Sequence, residues 1–280
     1  MRIRPAAALF GALLLAAPLT VTAASVDNKN VPTGEGDAIF VVGEGGYLEP
    51  IALRRNGTFM NPGSNEGGPS DKLRMESNAA IVTHGNKVHI IFGARTIATV
   101  PAKVENGAAT IPVPPQLHLN ANINALASPT LNAHAASARR APSPAERAAA
   151  LAIAAKALGT TASHLDVQNL TALDLGHGPA FAGTVNLRGI GTPRTDKRLF
   201  FIAERTAGTL HATLTNLQTI RVTEPLLEEI RETLVDAIDL GDGKLCVVTR
   251  QLGYDAHTYN IYARTPTSWK VIYSGGGAAM

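Results

Sequence analysis

Leu48-Glu49-Pro50-Ile51-Ala52-Leu53-Arg54, followed after Arg55 by Asn56-Gly57, sets an apolar-rich extended run against a two-residue turn signal. Both central residues of the tight hairpin turn need positive φ, which Asn and Gly tolerate best, so the segment reads as one arm of a β-hairpin. The same arrangement recurs on either side. Ala38 to Val42 runs into Gly43 to Gly46, Ala79 to Val82 into Gly85-Asn86, and Ala102 to Val104 into Asn106-Gly107. This spacing predicts an antiparallel β meander over residues 31–118, interrupted at Asn61 to Ser70 by a loop containing Pro62, Gly63, Gly67, Gly68 and Pro69.

Residues 119–142 change character. They are rich in Ala, Asn and Ser, carry Pro129 and Pro142, and have no run that organises a strand, so they are expected to be an interdomain linker. Helix is the competing expectation for Asn132 to Arg140. A helix start follows: Ser143 suits an N-cap, Pro144 the first helical position, and Glu146 the return bond of a capping box. The helix is predicted from Pro144 to Leu158 and stops at Gly159, with Leu151, Ala154, Ala155 and Leu158 as its apolar stripe.

Strands are then expected at Leu165 to Leu175, Ala180 to Leu187, Arg198 to Glu204, Thr209 to Val222, Leu234 to Leu240, Lys244 to Arg250, Thr258 to Ala263 and Trp269 to Tyr273. A second short helix is expected from Pro225 to Glu232. The fold class is therefore mainly β with an α+β C-terminal half over 143–280, in which one main helix packs on an antiparallel sheet.

The first two dozen residues address the protein. Arg2 and Arg4, the apolar stretch Ala6 to Ala17, and the small residues Val21-Thr22-Ala23-Ala24 form the three regions of a secretory signal peptide over 1–24. The apolar run is too short to span a bilayer. Export to the periplasm or beyond is the expectation, and 256 of the 280 residues would remain. Loss of Arg2 and Arg4 leaves 23 basic against 22 acidic residues, a formal charge of +1, which argues against nucleic acid as a partner. No second stretch reaches membrane-spanning length, so the partner is expected to be a protein or small ligand.

One cysteine excludes an internal disulfide framework, and Cys246, in Leu245-Cys246-Val247-Val248, suits a buried strand better than a catalytic thiolate. The motifs of zinc proteases, nucleophile elbows and phosphate loops are missing. Gly43-Glu44-Gly45-Gly46 lacks the third glycine of a dinucleotide loop, whose place Leu48 takes. Among eight histidines, His177 stands out because Gly176 and Gly178 flank it and Asp174 precedes it by three, the ingredients of an exposed imidazole beside a carboxylate. His177 and Asp174 are thus the catalytic candidates for a dispersed Ser/His/Asp hydrolase. Glu228 and Glu232 read as a solvated helix face rather than a glycosidase pair.

Val235-Asp236-Ala237-Ile238-Asp239-Leu240-Gly241-Asp242-Gly243-Lys244-Leu245 is the strongest local signal. Over residues 234–274 it resembles the aspartate-loop β segments of the FG-GAP and VCBS type in exported bacterial proteins. Asp239 and Asp242 match the outer acids of that loop, while the middle aspartate is missing and the loop is one residue shorter. The resemblance implies a β meander, an exported setting and a calcium site at Asp239 and Asp242. Two carboxylates fall short of the six to eight oxygens calcium takes, so a tight Gly-Asp-Gly turn is the alternative, and no cofactor is otherwise expected. The leading functional expectation is a non-catalytic exported β-rich protein with a binding or structural role at the cell envelope. A secreted hydrolase and a calcium-stabilised binding module stand behind it.

Overall fold

The computed structural model describes residues 36–63, 70–115, 117, 119, 124–176 and 178–277. The expected leader and His177 lie outside the described residues. The fold is mainly antiparallel β, as the turn spacing implies. Strands β1 (Asp37–Val42), β2 (Leu48–Arg55) and β3 (Thr58–Met60) precede helix α1 (Ser70–Thr83), then come β4 (Lys87–Ile91), β5 (Thr96–Pro101) and the small hairpin β6 (Lys103–Glu105) and β7 (Ala108–Thr110). Strand β8 (Ala125–Ser128) and helix α2 (Pro144–Leu158) lead to β9 (Asp166–Asp174), β10 (Pro179–Leu187), β11 (Arg194–Thr206) and β12 (Thr209–Val222). The chain ends in β13 (Arg231–Asp239), β14 (Leu245–Leu252), β15 (His257–Arg264) and β16 (Trp269–Gly275).

Three main sheets result. The first has the order β3-β2-β1-β8-β4-β5, the second β12-β11-β10-β9, and the third β13-β14-β15-β16, all with antiparallel neighbours. The turn chemistry is as expected at Asn56-Gly57 (φ 49° and 79°) and Asn106-Gly107 (φ 50° and 77°).

Four apolar clusters stack these elements into five layers. α1 covers one face of the first sheet through Ile81, Phe40, Leu53 and Ile90. The other face, with Ile39, Ile51 and Leu126, meets Val235, Ile238, Ile261 and Tyr273 of the third sheet. The far side of the third sheet, with Leu234, Ala237, Val247 and Tyr262, packs on Leu173, Ala182, Phe200 and Ile202 of the second. α2 closes the stack by laying Ala150, Leu151, Ala154 and Leu158 over Phe181, Val185, Leu199 and Phe201. The central third sheet is buried on both faces, which is why Leu234 to Ile238 is a continuous buried run instead of an alternating one.

Three expectations are corrected. The run Ala79 to Val82 is the end of α1, not a strand, and that helix begins where the expected loop ends. Its inward stripe, Leu73, Ser77, Ala80 and Ile81, hides a polar residue whose Oγ is satisfied by the carbonyl of Leu73 at 2.9 Å, so hydropathy alone breaks the helical period. The stretch 119–142 contributes β8, four small buried residues between β1 and β4 at the centre of the first sheet. The hydrophobic core shared by β1, β2, β8 and β13 to β16 joins the segments on either side of that stretch. Finally, Pro225–Glu228 makes one 3-10 turn, and Glu232 belongs to β13.

α2 keeps its sequence-read termini. Glu146 N–H donates to Ser143 Oγ at 3.3 Å, Ser143 N–H donates to Glu146 Oε2 at 2.8 Å, and Gly159 takes the left-handed cap at φ 67°. The Arg140 guanidinium grips both oxygens of Glu146 at 2.6 and 2.7 Å, and together with the Ser143 N–H it holds that carboxyl down at about 2.

Candidate binding cleft

Face-to-face packing of the second and third sheets brings four hairpin ends to one rim. These are the turns after β9, β11, β13 and β15, and the segment His134 to Ala136 lies beside them. Between them opens a cleft of about 1130 Å³. The turns can be this tight because glycines supply positive φ where it is needed, as at Gly208 (83°) and Gly243 (76°).

Cations come from three of the four hairpins: Arg205 near the end of β11, Lys244 before β14, and Arg264 at the end of β15. Arg205 donates to Gly208 O at 3.0 Å from an exposed position. Lys244 is exposed and makes no ion pair among the described residues. Arg264 is different, since it is bonded to the buried Glu204 carboxylate and stacked over the Trp269 ring at 5.3 Å. Glu204 also accepts from Trp269 Nε1 at 3.0 Å and Thr213 Oγ1 at 2.5 Å, so Arg264 is held as wall while its charge is balanced.

Two acids line the same space. Asp174 is buried and accepts the Gly176 N–H at 2.8 Å on Oδ1; Asp239 accepts Gly241 N–H at 2.8 Å and Gly243 N–H at 3.0 Å on its Oδ1. Each keeps its second oxygen without a hydrogen bond among the described residues. Thr206 and Thr265 are the hydroxyls of the cleft.

Of the sequence candidates, the cleft unites Asp174 and Asp239, and both glycines flanking His177 belong to its lining. Asp242 does not line it. Its Oδ1 accepts the Lys244 N–H at 3.0 Å, so the aspartates of this loop spend an oxygen each on turning the backbone. Among the described residues no group of three or more His, Cys, Asp or Glu side chains is placed to hold a metal. Cys246 sits in β14, where burial pushes its thiol up to about 12.

Glu228 and Glu232, paired in the sequence on an expected helix, are separated. Glu228 bonds Arg194 at 2.6 Å on the surface, while Glu232 is buried between the sheets and accepts from Asn216 Nδ2 at 2.5 Å, Thr249 Oγ1 at 2.5 Å and Tyr262 OH at 2.8 Å. Sequence reasoning missed Arg205, Lys244 and Arg264. The available signal was a cation beside each of three hairpin turns, at Arg205, Lys244 and Arg264, but nothing in a single hairpin says that the three turns share a rim. Comparison with protein-family models, curated proteins and solved structures finds no match to this chain.

Proposed function

We propose that the mature chain is an exported, non-catalytic β-rich protein that acts as a binding module at the cell envelope, with the cleft between the second and third sheets as its ligand site. The observation that carries the reading is the cleft lining. Two exposed cations, Arg205 and Lys244, line a space also lined by Asp174 and Asp239, each with a carboxylate oxygen that has no hydrogen bond among the described residues. That lining matches a polar ligand with an anionic group for the cations and N–H or O–H donors for the carboxylates. Strands hold the four lining hairpin turns at both ends, which lowers the ordering cost of binding. Export is supported by the Arg2/Arg4 leader pattern at residues 1–24.

A thermal-shift titration of the mature chain with inorganic phosphate, citrate and triglutamate tests the ligand class. At least one should raise the melting temperature in a concentration-dependent way by mass action, and Arg205→Ala/Lys244→Ala should remove the shift. No shift with any of the three, or shifts that survive in the double variant, would overturn the reading.

A hydrolase is the second reading, favoured by the presence of Asp174 and both neighbours of His177 on one cleft. Turnover of a chromogenic ester that is lost in both His177→Ala and Asp174→Asn would replace the binding role with that activity.

A further inference from the structure

Strand β12 is the longest strand in the fold, 14 residues, and it is the edge of the second sheet with no backbone partner on its outer side among the described residues. The other edges are each interrupted. β9 is bridged at Ala172 by Arg140, β13 at Asp239 by Asn132, β5 ends in Pro101, β3 is three residues long, and β16 carries Lys270 and a register irregularity opposite Ile261/Tyr262. Such devices keep strand edges from pairing with other chains. β12 has none of them beyond its first residues. Its only irregularity lies opposite Ile202/Ala203, so Leu214 to Val222 is regular. It contains no Pro, Gly, Lys or acid, and Arg221 is its one permanent charge.

We infer that this edge is the interface of a homodimer in which β12 pairs antiparallel with β12 of a second copy, centred on Leu217. The strand is self-complementary in that register. Leu217 meets its own copy, Thr215 meets Thr219, Asn216 meets Gln218 amide to amide, Leu214 meets Ile220, and Arg221 falls opposite uncharged Thr213. The four pairs between Leu214 and Ile220 match in size and chemistry, and no like charges oppose. Leu217 is 48% exposed and lies opposite Leu199 in the β11 register, on the face of the sheet where α2 packs over both β11 and β12. The two-fold axis runs perpendicular to the sheet, so pairing places Leu217 of both copies between the two α2 helices and turns two four-stranded sheets into one of eight. A charged surface partner would need complementary charges, and β12 offers only Arg221, which favours a second copy over a different protein.

The test reads both assembly and register. Sedimentation of the mature chain at tens of micromolar should show dimer, as an edge-strand interface is small, and Leu217→Lys, which sets two like charges directly opposite, should be monomeric with an unchanged circular dichroism spectrum. Mild oxidation of Leu217→Cys should give a covalent dimer, because opposed residues have Cα atoms about 4.5–5.5 Å apart, within disulfide reach. Cys246 is buried and does not compete. Thr219→Cys, offset from its own copy by four residues, should cross-link on the order of tenfold more slowly or not at all. A monomeric wild type, a Leu217→Lys variant that still dimerises, or equal cross-linking at 217 and 219 would overturn the inference.

Discussion

The Asp236 carboxylate accepts the backbone N–H of Ala94 at 2.6 Å across 142 positions of sequence. Its other oxygen accepts the Gly93 N–H at 2.7 Å, and the Ala237 N–H adds a third donor at 2.8 Å. Gly93 and Ala94 both have positive φ, 68° and 59°, and their consecutive N–H groups form a concave anion nest around a side chain from the third sheet. The contact is fully buried and ties the β4–β5 connection to β13.

Replacing Asp236 with Ala leaves three N–H groups without their acceptor, at least two of them deep between layers. The expected loss is about 3 kcal/mol or more of unfolding free energy in a urea titration. Burial raises the Asp236 carboxyl above its ordinary value in the folded chain, against the pull of Arg139 and its backbone donors. With the folded value above the unfolded one, its linkage contribution is fully present below the unfolded pKa and disappears as pH rises through the folded pKa. The stability of the wild type relative to Asp236→Asn should therefore fall over that rise.

The α2 cap makes the opposite case. Ser143→Ala should cost about 1 kcal/mol, the usual value of a helix N-cap, measured by thermal or urea unfolding. Glu146 has its folded value lowered to about 2 by Arg140 and the Ser143 N–H, so its stabilising share is present above the unfolded carboxylate pKa and is lost as pH falls through about 2. An acid titration of Glu146→Gln should lack that share.

Much of this architecture was legible because short-range chemistry decided it. Asn56-Gly57, Asn106-Gly107 and Ser143-Pro144 with Glu146 specify hairpins and a helix start from neighbouring residues alone. α1 was not legible, since Ser77 sits on its inward stripe and spends its hydroxyl on Leu73. β8 was hidden because Ala125-Leu126-Ala127-Ser128 has no β-branched side chain and owes its strand to β1 and β4 on either side. The cleft escaped for a related reason. Arg205, Lys244 and Arg264 become neighbours only through the face-to-face packing of two sheets, and pairing of faces leaves no local mark.

Calcium and chelator should give the same melting curve if Asp239 and Asp242 serve the turn. Gly243→Val should destabilise by about 1–2 kcal/mol, because a β-branched residue is forced to φ 76°. A calcium-dependent rise in melting temperature that vanishes in Asp239→Asn would instead support a metal-stabilised module.

Cys246 should resist Ellman's reagent in the native chain at neutral pH and react fully in denaturant, since the buried thiol forms little thiolate. Rapid native labelling would contradict its placement in β14.

The binding reading is tested most directly by chemical-shift mapping on the isotope-labelled mature chain during titration with phosphate, citrate and triglutamate. Saturable shifts should concentrate on Ala135, Ala136, Asp174, Gly176, Arg205 to Ala207, Gly243 to Leu245, and Arg264 with Thr265, and should vanish in Arg205→Ala/Lys244→Ala. Saturable shifts on another face, or none with any of the three ligands, would contradict it.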